Sequence, residues 1–196
     1  MSRFTMGGSE ISKLLDNIVS TSMNQIPPPA RFSDYDAQVI TKFKPILTSI
    51  TEDVVKNFYD ILFSYEPTAA VFQPDERPLR EKTLRDWWIR TLNGPFNEDY
   101  WLWQAYVGVI HYRRNVTPPM FMGMWAWIID NVIRKTQTSP ELVSALVKLG
   151  ATQSSLMVGG YYDIVEYALN RVDIGSDLLR NLVISIIEEL ATSIKK

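Results

Sequence analysis

The chain has 196 residues, 46% of them hydrophobic and 21% charged, enough for one domain with a proper core. Its formal net charge is -2, which argues against the basic surface a nucleic-acid binder needs. It has no cysteine and one histidine, His111, so disulfides, thiolate metal sites and multi-histidine zinc sites are excluded, and no nucleotide-binding or nucleophile-elbow motif occurs.

The hydrophobic pattern predicts an all-α chain. Ser9 to Ser20 carries Ile11, Leu14, Leu15 and Ile18 on one face and reads as a short amphipathic helix. Pro27, Pro28 and Pro29 make the next stretch a connector. Ser33, followed by Asp34 and Asp36, opens a helix expected to run to about Thr48. Thr51 is the expected cap of the next helix, whose apolar positions are Val54, Val55, Phe58, Tyr59, Leu62 and Phe63. Pro67 starts a tight bend that Phe72 closes.

Pro78 opens a helix with Leu79, Thr83 and Trp87 in line, flanked by Leu84, Trp88 and Thr91, and Asn93-Gly94-Pro95 ends it. Asn97 caps the helix that carries Trp101, Trp103, Tyr106, Val107, Ile110 and His111. Pro118 and Pro119 start a strongly apolar segment to about Arg134; its longest apolar run, Met120 to Ile129, is too short to cross a bilayer. Ser139-Pro140-Glu141 is a cap, first-turn proline and acid in the right order, and the helix behind it continues to about Leu169. Gly159-Gly160 inside it calls for close helix packing or a break. Beyond Gly175, Leu179, Leu182, Val183, Ile186, Ile187, Leu190 and Ile194 form one apolar stripe of a last helix.

His111 is the residue with chemistry to offer. A histidine on an apolar helix can donate Nδ1-H to the carbonyl of Val107, four residues back, and leave Nε2 free for a metal. Gly108, on the same face, would let a flat macrocycle approach the helix. The same placement suits a half-buried core histidine, so spacing alone leaves both readings open.

The stretch Val107-Gly108-Val109-Ile110-His111-Tyr112-Arg113 through Pro118-Pro119-Met120-Phe121-Met122-Gly123 resembles the signature of the globin-coupled sensors and protoglobins. Gly108, Arg113, Pro118, Phe121 and Gly123 match its recurring positions. Lys82-Thr83-Leu84-Arg85-Asp86-Trp87-Trp88 is similar to the family's distal helix, Phe58-Tyr59 to its aromatic-tyrosine pair, and Phe72 to the aromatic that faces the ring. Asn115-Val116 departs from the apolar pair more usual after the arginine. The leader and the length resemble the stand-alone protoglobins.

The resemblance implies a globin-like fold with an N-terminal leader helix and connector over 1–32, a heme domain over 33–172, and an additional C-terminal helix over 173–196. It implies heme b as cofactor, with His111 as proximal iron ligand and Tyr59 as distal hydrogen-bond donor to bound O2. Thr83 takes the other distal position, or Leu84 if the match shifts by one. Phe58, Phe72, Trp87, Val107 and Phe121 would line the pocket. The charges from Arg77 to Arg90 read as a solvated face, with one available for a heme propionate. The expected function is reversible binding of O2, CO or NO in a gas or redox sensor. The alternatives are a heme-free signalling module and a heme enzyme acting on NO or other small ligands. With no distal histidine, an enzyme is the weaker expectation. The expected setting is a cytoplasmic homodimer, with the last helix either folded back or at the dimer interface, and no nucleic-acid or membrane partner.

Overall fold

A computed structural model describes residues 8–136 and 139–194. Among the described residues there are nine α-helices, one short 3-10 turn at Pro28–Ala30, and no strand. In order the helices are α1 (Gly8–Gln25), α2 (Asp34–Ser49), α3 (Thr51–Ser64), α4 (Glu66–Ala69), α5 (Arg77–Asn93), α6 (Glu98–Arg113), α7 (Pro118–Lys135), α8 (Pro140–Asn170) and α9 (Ser176–Ile194). The chain divides into two compact units, Met1–Tyr161 and Tyr162–Lys196, and the division falls inside α8.

Local chemistry explains most helix starts. Ser33 and Asp36 form a full capping box: the Ser33 hydroxyl accepts from the Asp36 N–H, and the Asp36 carboxylate accepts from the Ser33 N–H at 2.9 Å. Asp36 is almost fully buried, and Lys148 of α8 donates to both its oxygens, so the cap also ties α2 to α8. Asn97 caps α6 by accepting from the Tyr100 N–H at 3.1 Å. Ser139 accepts from the Leu142 N–H at the start of α8. Gly94 ends α5 at φ 63, a left-handed conformation that glycine takes without steric cost.

Two sequence expectations need correction. α1 runs to Gln25, five residues past Ser20, because nothing before the prolines stops it. Thr51 is no cap; it is already helical, and its buried hydroxyl points back to the Leu47 carbonyl. α2 passes through Pro45 and runs to Ser49, in line with the expected end near Thr48. Of the two outcomes expected at Gly159-Gly160, close packing holds: α8 continues unbroken to Asn170, and a Cβ on either glycine would meet neighbouring atoms.

The main core of the first unit joins Val39, Ile40 and Leu47 of α2, Trp88 and Leu92 of α5, Trp125, Ile128 and Val132 of α7, and Leu142, Ala145, Leu146 and Leu149 of α8. Each such side chain contributes roughly 1.5–3 kcal/mol on burial. A smaller cluster of Val55, Tyr59 and Leu62 on α3 gathers Phe58, Phe63, Phe72, Leu84 and Met124. α3 packs on α5, and α1 on α6. A bidentate Arg85–Glu52 pair and a single Lys135–Asp53 bond stitch α5 and α7 to α3 at the surface, where water and salt screen them.

α8 is long and apolar enough to cross a membrane by length and composition. Of its most apolar window, 56% is buried inside the protein, as in a core helix. In the second unit Ser176 donates to Glu166 at 2.5 Å, and Leu178, Leu182, Ile186 and Ile187 of α9 are exposed. The side chains of Leu190 and Ile194 lie outside the described residues.

Candidate cofactor cavity

Residues of α3, α5, α6 and α7 line an apolar cavity of about 360 Å³ in the first unit, within the size range of small-molecule sites. α3 contributes Phe58, Tyr59 and Leu62; the α4 region Thr68, Val71 and Phe72; α5 Arg80, Thr83, Leu84 and Trp87. α6 contributes Trp103, Tyr106, Val107, Ile110 and His111; α7 Met120, Phe121, Met124, Trp125 and Ile128; α8 Met157. All nine residues singled out in the sequence, His111, Tyr59, Phe58, Phe72, Thr83, Leu84, Trp87, Val107 and Phe121, lie in this lining.

His111 sits in the last turn of α6, where its ring nitrogen Nδ1 is 2.7 Å from the Val107 carbonyl. A carbonyl only accepts, so Nδ1 carries the proton and Nε2 keeps its lone pair. Among the described residues nothing bonds Nε2. The ring packs edge-on against Phe121, centroids 5.4 Å apart. Desolvation by burial, helped by the nearby Arg114 charge and opposed by the Val107 bond, lowers its pKa below the usual 6.5. The imidazole is therefore neutral at pH 7 and able to donate to a metal.

Tyr59 comes from α3, 7% exposed, edge-on to Phe58 at 5.3 Å and to Phe72 at 6.0 Å. Burial pushes its phenol pKa up, so the O–H stays protonated. No described residue bonds this hydroxyl, which leaves a donor on the cavity wall. Trp87 packs edge-on to Trp125 at 5.3 Å and donates Nε1–H to the buried Gln104 at 3.3 Å. Thr83 and Leu84 divide the two possibilities for one position between them. Leu84 packs with the Tyr59 cluster, whereas Thr83 is exposed and its hydroxyl donates to the Leu79 carbonyl at 2.9 Å.

Gly108 corrects the sequence argument. It does not open the helix to a macrocycle. It is buried on the α8 side, where an added Cβ would lie 2.2 Å from the Met157 carbonyl oxygen. Gly160 answers from α8, where a Cβ would lie 2.3 Å from the Ala105 oxygen. The two glycines make one backbone-to-backbone crossing that seats α6, and with it His111, against α8.

Sequence reading missed several lining residues. Met120 and Met124 were legible in principle, since they flank Phe121 at one-turn spacing on α7. Arg114 lies three residues after His111, hence on its face. Leu62 and Ile110 were seen as apolar helix positions without being assigned to the site. Met157 carried no local signal, because only the α6–α8 crossing brings it here.

These features fit an iron porphyrin. One imidazole cannot hold an iron ion by itself, so the metal's other ligands must arrive with it, as they do in a macrocycle. Among the described residues no cluster of three His, Cys, Asp or Glu could hold a metal ion. The lining is mostly apolar and rich in aromatic rings, as a porphyrin face needs, and the free Nε2 and free phenol are among its few polar groups.

An all-helical domain with a lone histidine on the helix beside an apolar slot, and a tyrosine from a third helix, is that of a globin. A family model described as Protoglobin matches residues 22–164, most of the chain, and the chain belongs to the protoglobin family. Among curated proteins no match is found.

Proposed function

We propose that this protoglobin holds heme b in the cavity through His111 Nε2 and reversibly binds O2, CO or NO as a gas or redox sensor. The observation that carries the reading is the paired state of the single imidazole: Nδ1 committed to the Val107 carbonyl and Nε2 uncommitted in the cavity lining. A bound ferrous heme supplies an open coordination position for a diatomic ligand.

The chain's own residues do the rest. The Val107 carbonyl fixes the His111 tautomer and ring angle, which keeps the lone pair available. Tyr59 offers a protonated hydroxyl with no competing partner. Phe58, Phe72, Trp87 and Phe121 keep water from the slot. The sensor role rests on family likeness, supported by one contact: Tyr112, next to His111, packs edge-on to Tyr161 of α8 at 5.0 Å. Movement of His111 along α6 would reach α8 through that pair.

The absorbance spectrum of heme-supplemented ferrous protein is expected to show a Soret band that shifts and sharpens with CO. Protein that stays colourless after heme supplementation would overturn the proposal and favour a heme-free module.

A cytoplasmic homodimer completes the proposal, with α9 at the contact. Leu182 and Ile186 stand one turn apart, and these two and Ile187 are each about half exposed, an apolar surface suited to a partner. Sedimentation is expected to give a dimer that Leu182→Glu/Ile186→Glu converts to monomer. Wild-type protein that sediments as a monomer at micromolar concentration would refute it.

A further inference from the structure

Two cations stand in the lining of an otherwise apolar slot. Arg80 of α5 and Arg114, one residue past α6, border the apolar cavity and also border a polar pocket of about 560 Å³ beside it. The polar pocket adds Glu76, Arg113, Gln73 and Asn115. Three guanidiniums against one carboxylate leave two positive charges uncompensated among these lining residues.

Glu76 shows what this place binds. Its carboxylate accepts from Arg114 Nη2 at 2.6 Å, and the Arg114 hydrogen bond, ahead of the other contacts, holds its pKa down at about 2. Arg80 Nε lies 2.7 Å from the same carboxylate, but its N–H is not aimed at either oxygen and meets no acceptor, although the atom is buried. The side chains of Glu76, Arg80 and Arg114 are only 11%, 23% and 28% exposed. So a carboxylate already occupies part of a two-arginine cradle, and one buried donor and most guanidinium hydrogens remain for others. A buried donor left unmade is costly, and an incoming carboxylate would relieve it.

We propose that Arg80 and Arg114 anchor the acidic edge of the porphyrin, taking its two propionates at the border between the apolar slot and the polar pocket. The inference rests on the heme reading above and adds its orientation. The apolar edge points inward to the α3 and α7 aromatics, and the dianionic edge faces the two uncompensated charges. Arg113 contributes field at the outer side of the polar pocket. The recognition is by carboxylate chemistry, so it is separable from iron ligation by His111.

The experiment compares heme with its dimethyl ester, in which both carboxylates are blocked and the iron is unchanged. Wild type, Arg80→Met, Arg114→Met and the double variant are loaded with each, and cofactor loss to excess apomyoglobin is timed from the Soret change. Methionine keeps the apolar stem and removes the charge. With free-acid heme, each single variant is expected to lose cofactor about tenfold faster and the double variant about a hundredfold faster, the scale of a charge-assisted hydrogen bond. With the dimethyl ester, all four proteins are expected to lose it at one common rate, near that of the double variant with free-acid heme.

Variants that speed the loss of both cofactors alike would show a structural role and overturn the proposal. Variants that speed neither would place the propionates elsewhere and overturn it as well. In both cases a normal His111-ligated spectrum would leave the heme reading standing. Loss of the Soret band in wild type would remove both. Circular dichroism and thermal midpoints of the apoproteins check that the variants fold, and Arg114→Lys, which keeps charge without the planar fork, is expected to recover part of the free-acid rate only.

Discussion

A His111→Gly variant is expected to lose heme more than about a hundredfold faster than wild type, and to recover its spectrum when free imidazole is added. Second-sphere partners of a metal ligand change affinity by roughly 10- to 100-fold, and removal of the ligand itself must exceed that. The chain holds no second histidine and no cysteine to take over. The variant should still fold, because His111 lies in the last turn of α6 and is half-buried, so glycine there costs about 1 kcal/mol of helix propensity plus the contact with Phe121. The space vacated is walled by Phe121 and floored by the Val107 carbonyl, which can accept from free imidazole as it does from the native ring. The measurement is the Soret maximum and the rate of transfer to apomyoglobin, with and without millimolar imidazole. An unchanged spectrum in His111→Gly would sink the assignment of the proximal ligand.

The second large effect concerns a residue outside the cavity lining, Gly108. Gly108→Val is expected to lower stability by about 3 kcal/mol or more, and the thermal midpoint by about 10 °C. On a bare helix the change would be mildly favourable, since glycine costs up to about 1 kcal/mol relative to other residues. Here a Cβ would stand 2.2 Å from the Met157 oxygen and 2.7 Å from its Cα. Those are backbone atoms of α8, so no side-chain rotation relieves the clash; the helices must separate. Two other glycines serve as controls. At Gly159 a Cβ meets the Ser22 hydroxyl and a methyl of Ile18, which can shift, so alanine there should cost less. At Gly123 nothing lies within 4 Å, and Gly123→Ala should be neutral or stabilising by about 1 kcal/mol. Equal midpoints for Gly108→Val and Gly123→Ala, read by circular dichroism, would refute the crossing. A variant that folds with α6 displaced should also ligate heme less well, because His111 rides on that helix.

The sequence read alone reached the helical class, most helix starts and nine of the lining residues, because those rest on local rules. Ser33, Asn97 and Ser139 announce helices through hydrogen bonds three residues away, and the 3.6-residue period sorts Phe58, Tyr59 and Leu62 onto one face without reference to the rest of the chain. The Nδ1 bond of His111 to Val107 is of the same kind, an i to i−4 contact within one helix. Helix lengths were less legible. Thr51 looked like a cap, but a threonine can equally bond the carbonyl four residues back, and the packing of α2 against α3 selects that state.

What the tertiary structure alone decided is everything that joins residues far apart in the chain. A glycine beside a histidine reads as clearance for a ligand, and only the position of α8 reveals that Gly108 meets Met157 instead. The opposed glycines 108 and 160 are 52 positions apart, and no periodicity links them. Arg80 and Arg114 look like ordinary surface cations of two helices until Glu76 and the cavity mouth are seen to lie between them. Local hydrogen bonds and apolar spacing are written into short stretches of chain. Steric fit and charge balance at a site depend on which helices meet, and that is settled only by the packed core.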